Sequence, residues 1–420
     1  MNPTLDPRSR KALVVIPIAL AMLSMIGPFS IDTPFPAFGQ MREEFAVSGS
    51  QMQWVVTSYM LAFAVMSVLH GPLSDAVGRR PVIVGGLVVY TLASLGAALS
   101  GSYAVLIAFR VLQGLSAGGA TIVSRTIVRD LFDGPQAQVL MSRVMMIFGI
   151  APAVAPVIGG LVLQVGPWPL VFGAMALLGV VLIVCTLTLI PESHPPQRRT
   201  PLAVGEILRG LGSVLTLPDF HRAAWAMTFA FAGQFLYIGG AAIFVVDLLG
   251  KGEMDFWVYF VPIIGGMVVG SWISGRAAGR VGGRRLVSIG FTVGMVGAVV
   301  GVVLAATEWE TTLPWVMVGP SLLAMGNGIL YPTINLMLLD MFPERRGAVV
   351  SASAFLSLVV NAVCAVALTP VVGTSVLGFA VTALALFAVG LLMWSWQSAL
   401  WLRDVRSSPA GEDVEPVDLV

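Results

Sequence analysis

The sequence predicts an all-α integral membrane protein of twelve transmembrane helices, arranged as two related six-helix halves. Three observations carry that prediction. Of 420 residues, 57% are hydrophobic and only 11% charged, with a mean hydropathy of +0.91; soluble domains hold roughly a quarter charged residues. The chain also divides into twelve apolar runs, each near the ~20 residues that a spanning helix needs. Finally, the stretch Gly71-Pro-Leu-Ser-Asp75-Ala-Val-Gly78-Arg79-Arg80-Pro81 has a worn copy at 275–285. Gly71, Gly78 and Arg80 return there as Gly275, Gly282 and Arg284, while Asp75 becomes Gly279 and Arg79 becomes Gly283. A motif repeated at one place in each half marks an internally duplicated chain.

The apolar runs fall at 13–35, 52–69, 81–99, 103–124, 145–165 and 170–190, then at 223–246, 256–274, 286–306, 313–339, 348–370 and 378–400. Arg8, Arg10 and Lys11 precede the first run as they would a signal peptide. The run is longer than a signal core and eleven more follow, so it reads as a retained first helix. Basic loops stay in the cytoplasm. With the N-terminus inside, only Arg42 and Lys251 of the 23 Lys and Arg fall outside, and Arg110 falls within the membrane. Both termini are therefore expected in the cytoplasm. The domains follow: an N-terminal six-helix bundle at 1–190, a cytoplasmic linker at 191–221, a C-terminal bundle at 222–402 and a disordered cytoplasmic tail at 403–420. Within the linker, Val204, Ile207, Leu208, Leu211 and Leu215 recur at helical spacing, with Thr200 as a cap and Pro201 in the first turn. They predict a short amphipathic helix against the inner face.

The stretch at 71–81 reads as a tight turn at the membrane surface, with Gly71 and Gly78 supplying unusual backbone angles. Asp75, Arg79 and Arg80 put a carboxylate and two guanidiniums in pairing reach and form a candidate cytoplasmic gate. Deep charges are costly in a bilayer and default to functional hypotheses. Two are placed deep, Asp32 and Arg110. Asp32 lies in Phe29-Ser-Ile-Asp32-Thr-Pro34-Phe-Pro36, where prolines distort the helix; low dielectric favours a protonated carboxyl, which suits a proton carrier. Arg110 lies in Phe109-Arg110-Val-Leu-Gln113-Gly114 at comparable depth, and the alternative is a static buried pair with Asp32. The fifth run carries Pro152, Pro156, Gly159 and Gly160, which read as a bent, closely packed helix or a gate hinge. Asn327, Tyr331 and Asn335 share one face of the tenth run. With Tyr59, Gln234 and Tyr237 they form a candidate substrate cavity for apolar or cationic ligands, although each could serve helix packing.

Other chemistry is absent from the pattern. Cys185 and Cys364 sit inside apolar runs with no motif between them, and no metal-ligand cluster or phosphate loop occurs. His70, His194 and His221 read as ordinary residues of interfaces and loops. No enzyme is expected, and the driving force is expected to be an ion gradient rather than ATP.

Together these residues resemble the major facilitator superfamily over essentially the whole chain, and within it the drug/proton antiporters of the Bcr/CflA type. Residues 71–80 look like that superfamily's loop signature between its second and third helices. Asp32 with Pro36 resembles the acid-proline pattern of the first helix. Arg110, Gln113 and Gly114 resemble the fourth-helix arginine motif, linked in the family to proton coupling. Pro152, Pro156, Gly159 and Gly160 resemble the fifth-helix antiporter motif, with Ala155 standing where a glycine usually precedes the proline. Some relatives bear a second acid about two turns before Asp32, where this chain has Ser24. The resemblance implies two bundles rocking about a central cavity in the bacterial cytoplasmic (inner) membrane. It implies a proton-coupled multidrug efflux antiporter that exports hydrophobic or cationic small molecules. Its partners would be substrate, protons and lipid, with no nucleic acid, no cofactor beyond the proton gradient and a monomeric state. An exporter or symporter of one metabolite, such as a sugar or amino-acid derivative, is the alternative.

Overall fold

The computed structural model describes residues 12–132, 134–199, 202–252, 255–277, 280–342 and 346–407. The basic residues Arg8, Arg10, Lys11 and Arg345, the cap Thr200-Pro201, Gly279 and the tail from 408 onward lie outside the described residues. No strand occurs among the described residues. Twelve long helices do: α1 (Ala12–Asp32), α2 (Trp54–Val77), α3 (Arg79–Ala98), α4 (Tyr103–Leu131), α5 (Gly134–Val165) and α6 (Pro169–Leu189), then α7 (Pro218–Gly239), α8 (Phe256–Ala277), α9 (Gly283–Ala305), α10 (Val318–Met341), α11 (Arg346–Val363) and α12 (Val376–Ser407). Ten stretches built on these helices are long and apolar enough to cross a membrane. α5 includes the apolar stretch Ile150–Val165, and α7 opens with Asp219, His221 and Arg222 before its apolar run.

Several helix ends differ from the expected ones for local reasons. The first run stops at Asp32, because Pro34 and Pro36 follow; a 3-10 turn, Phe35–Ala37, then leads into a second short helix, Phe38–Phe45. The second run is longer than its apolar residues suggest. Helix α2 continues through Gly71 and Pro72 to Val77, so Gly71 is not a turn residue. The turn belongs to Gly78 alone, at φ 112°, a conformation that favours glycine. α12 likewise runs on to Ser407, so the first residues of the predicted tail are helical. The linker helix spans Val204–Leu215. In the second half, α7 passes into a π-helix, Ile243–Leu248, and α11 into another, Cys364–Leu368.

The chain separates into two compact units, Met1–Ile207 with Gly252–Trp257, and Leu208–Lys251 with Val258–Val420. Each is described below by itself.

Candidate functional site

Asp32 is the last residue of α1, and it is 1% exposed. Its Oδ1 is buried with no hydrogen-bond partner. Arg110, on α4, is fully buried as well, yet no ion pair joins the two. The static pair is thus not what the structure contains. Arg110 is held elsewhere: its Nε donates to the Val55 carbonyl at 2.7 Å and its Nη1 to Gln113 Oε1 at 2.9 Å. Its guanidinium lies 4.6 Å from the centre of the Tyr59 ring, a cation–π contact that strengthens with desolvation. Arg110 Nη2 is buried without a partner, so one charged donor and one carboxylate oxygen are both left over in this half.

Around these two groups the hydrogen bonds close a circuit through four helices. Ser30 donates to the Ile26 carbonyl at 2.6 Å, so its oxygen must accept from the Tyr90 hydroxyl, also at 2.6 Å. Tyr90 belongs to α3, one turn before Ser94. Gln113 Nε2 on α4 donates to Ser94 Oγ at 2.7 Å and accepts from Arg110. Arg110 reaches α2 at Val55 and Tyr59, and the Tyr59 hydroxyl returns to α1 by donating to the Gly27 carbonyl at 3.1 Å. Each link satisfies a polar group that burial would otherwise penalise. Tyr59, expected in the substrate cavity, therefore belongs to the circuit around the deep charges.

Two glycines set how closely the helices meet here. A Cβ on Gly114 would lie 2.2 Å from the Tyr59 carbonyl, which lets α4 bring Arg110 against α2. A Cβ on Gly159 would lie 2.2 Å from the Thr33 carbonyl and 3.4 Å from Pro36. The fifth-helix motif thus packs against the residue that follows Asp32. Gly160, Ala155 and Pro156 are buried beside it, and Pro152 is half-buried; both prolines lie within α5.

A half-buried arginine makes a further contact between helices of this half. Arg125, assigned to the cytoplasmic surface, lies within α4 inside a span-length apolar stretch and donates to Ser24 Oγ at 3.1 Å. His70 is buried, at 3% exposure, with Nδ1 2.7 Å from the Met66 carbonyl, and its ring fills the space over Gly118.

At the α2–α3 junction, Arg79 pairs with Asp75 at 2.5 Å and with Asp130 of α4 at 3.0 Å. It also donates to Ser74 Oγ at 2.6 Å. The backbone N–H groups of Arg79 and Arg80 both donate to Glu192, at 3.0 and 3.2 Å. A carboxylate at a helix N-terminus is well placed against exposed amides and the helix dipole. Asp130 and Glu192 were not predicted, since only folding brings residues so distant in sequence to this turn. The Arg80 side chain donates to the Leu187 carbonyl of α6. Its counterpart Arg284 donates to Ser398 Oγ of α12 at 2.7 Å. The two equivalent arginines each reach the sixth helix of their own half.

In the second half, Asn327 and Tyr331 of α10 do face one neighbour. Asn327 Nδ2 donates to the Ala230 carbonyl at 3.0 Å, and Tyr331 lies 5.6 Å from Phe231. Gln234 is on the same helix α7, with Nε2 3.8 Å from Met267 Sδ. Asn335 is half-buried one turn beyond Tyr331. Tyr237 stands apart from them, stacked 5.9 Å from Phe379 and edge-on 5.8 Å from Phe244 in an aromatic cluster.

The sequence model of the Major Facilitator Superfamily matches residues 20–368. The chain belongs to that superfamily. Among its relatives, an uncharacterised superfamily-type transporter of Bacillus subtilis, YdgK, is 31% identical over 71% of this chain and 74% of its own. A bicyclomycin resistance protein homolog of Haemophilus influenzae is 28% identical over 68% and 71%. Multidrug resistance protein D of Escherichia coli is 25% identical over 92% and 96%. These are the relatives that the Bcr/CflA-type resemblance led one to expect. Among solved structures, a bacterial homolog of the human lysosomal transporter Spinster superposes with a TM-score of 0.73, at 15% identity, over 96% of this chain and all of that one. The superfamily fold of two six-helix bundles is thereby established for this membrane transporter.

Proposed function

We propose that this superfamily member is a proton-coupled multidrug antiporter of a bacterial cytoplasmic membrane, exporting hydrophobic or cationic small molecules by alternating access. The observation that carries the reading is Asp32: a buried carboxyl beside a circuit that holds Arg110 away from it, with Oδ1 unpartnered. A carboxyl so placed is open to one of two exchangeable occupants, a proton or the donor group of a cargo. The drug-resistance names of the relatives support the cargo class. In the cycle, Asp32 loses its proton inward, cargo binds, the halves rock, and Asp32 is protonated from outside as cargo leaves. Arg110 with Gln113 stabilises the deprotonated state at a distance. Close packing of Gly159 on Thr33 transmits the state of α1 to α5. The Asp75–Arg79–Asp130 set, with Gly78 and the Glu192 cap, acts as the cytoplasmic gate. Both termini are cytoplasmic, the working unit is a monomer, and the proton gradient supplies the energy without a cofactor.

The test is substrate-induced proton release from detergent-purified protein near neutral pH, wild type beside Asp32→Asn. Release with chloramphenicol or lipophilic cations in the wild type, and none in the variant, is the expected result. No release from the wild type with any drug would remove the antiporter reading. For the gate, Asp75→Asn or Arg79→Ala is expected to raise the labelling of a single cysteine placed near Ser74. Unchanged labelling in both removes that role.

A further inference from the structure

We infer that the second half holds an acceptor-lined site, made by Gln234, Asn327 and Asn361, that receives a hydrogen-bond-donating head on the cargo, such as a hydroxyl, amide N–H or ammonium. The inference rests on the transport reading above and deepens it by naming the chemistry that the cargo must bring. Asn361 belongs to no motif of the sequence; only its place in the fold draws attention to it.

All three side chains are deeply buried, at 1%, 2% and 4% exposure. All three leave the amide oxygen without a hydrogen-bond partner: Gln234 Oε1, Asn327 Oδ1 and Asn361 Oδ1. For two of them the other end of the amide is engaged. Asn327 donates through Nδ2 to the Ala230 carbonyl, and Gln234 Nε2 is turned to the Met267 sulfur. What remains over is therefore acceptor capacity. An amide oxygen buried without a donor loses its hydration uncompensated, so three on neighbouring helices call for a donor from outside.

Contacts along α7 place the three within about one helical turn of one another along the axis. Thr228 Oγ1 meets Ser357 Oγ of α11 at 3.0 Å, and Ala230 receives Asn327 of α10. Gln234 follows Ala230 by one turn, about 6 Å along the axis. α7 and α11 are both odd-numbered spans and run the same way, so Asn361, one turn beyond Ser357, rises with Gln234. Met267 joins the group from α8, where its carbonyl lies so close to α10 that a Cβ on Gly328 would approach it to 2.2 Å. The lining is uncharged. Among the described residues, no Asp, Glu, Lys, Arg or His of this half is buried. An acceptor-rich, neutral lining accepts donors of any charge from zero to plus one. It disfavours carboxylates and groups that only accept.

The test uses purified full-length protein and two matched probe pairs. Chloramphenicol, with two hydroxyls and an amide N–H, is compared with its di-O-acetyl ester; ethidium, with amino N–H groups, is compared with tetraphenylphosphonium, which has no donor. Affinities come from tryptophan quenching. Since one hydrogen bond is worth about 1 kcal/mol, the wild type is expected to prefer the donor-bearing member of each pair by about fivefold or more. Gln234→Met and Asn361→Leu keep side-chain size and remove the acceptor; each is expected to lower that preference to about twofold by weakening only the donor-bearing probe. Gln234→Glu, which keeps acceptor oxygens, is expected to retain it. Asn327 is left intact, because its Nδ2 bond ties α10 to α7. Equal affinities within each pair for the wild type, no binding of any probe, or variants that weaken both members alike would each overturn the site. Proton release is read in the same samples. Its loss in the wild type would sink the antiport reading, whereas loss of donor preference with release intact sinks this site alone.

Discussion

In the first half, four helices are joined by a circuit of Ser30, Tyr90, Ser94, Gln113, Arg110 and Tyr59 around two deep charges. In the second half, the buried polar side chains are hydroxyls and amides, and helices meet across glycines. Gly270 would place a Cβ 2.0 Å from the Met325 carbonyl, and Gly326 would place one 2.4 Å from the backbone nitrogen of Gly294. The contrast follows from solvation. A guanidinium taken out of water needs its donors satisfied, and removing one partner of a buried charge is strongly destabilising. Helices without charges can associate through close van der Waals contact over small residues. The repeated turn shows the same division at one position: ion pairs hold Arg79 in the first half, where the second half has Gly283, while the equivalent Arg80 and Arg284 each donate to a neutral oxygen. The duplicated fold has thus kept its buried charges in one half and neutral, adaptable polarity in the other.

The comparison breaks at once if the deep acid is dispensable. Asp32→Asn is expected to reduce proton-driven drug efflux in membrane vesicles to background, whereas Gln234→Met retains proton release. Equal losses in both would dissolve the distinction. Next in size is Arg110→Lys. A lysine cannot fork between the Val55 carbonyl and Gln113, and hydrogen bonds from a charged group contribute about 1.5–3 kcal/mol. A fall of about 2 kcal/mol in unfolding stability in detergent is expected, together with loss of transport; wild-type stability would show that the circuit is not structural.

Glycine substitutions sharpen the same comparison. Gly159→Ala and Gly270→Ala each force a methyl against a carbonyl, so both are expected to cost about 1–3 kcal/mol by overpacking. Only Gly159→Ala, beside Asp32, is expected to impair proton release at a temperature where both variants are folded. The smallest effect is assigned to Tyr90→Phe, which removes one neutral hydrogen bond to Ser30 worth about 1 kcal/mol. Thermal unfolding of that variant should shift modestly with transport largely kept; complete loss of transport would place Tyr90 in the proton path itself.

How much of this was readable in the chain depended on the range of the interaction concerned. Span number, helix breaks and the duplicated turn were legible in the residues, because apolar length and proline or glycine placement act locally. Even there, the reading ended α2 early: polar residues such as Ser74 and Asp75 look like loop in hydropathy but continue a helix whose turn needs only Gly78. The depth of Asp32 and Arg110 was visible, and so was the fifth-helix motif. Their partners were not. Tyr90, Ser94, Asp130, Glu192, Arg125 with Ser24, and Asn361 act through contacts between segments far apart in sequence, which no local pattern encodes. By itself the sequence determined that the chain must span a membrane as two related halves with a rare buried acid and arginine, since solvation acts on every residue where it stands. Whether that acid and arginine pair, and which amide oxygens are left open, only the tertiary structure decided, because a hydrogen bond exists only where two surfaces are brought within about 3 Å of one another.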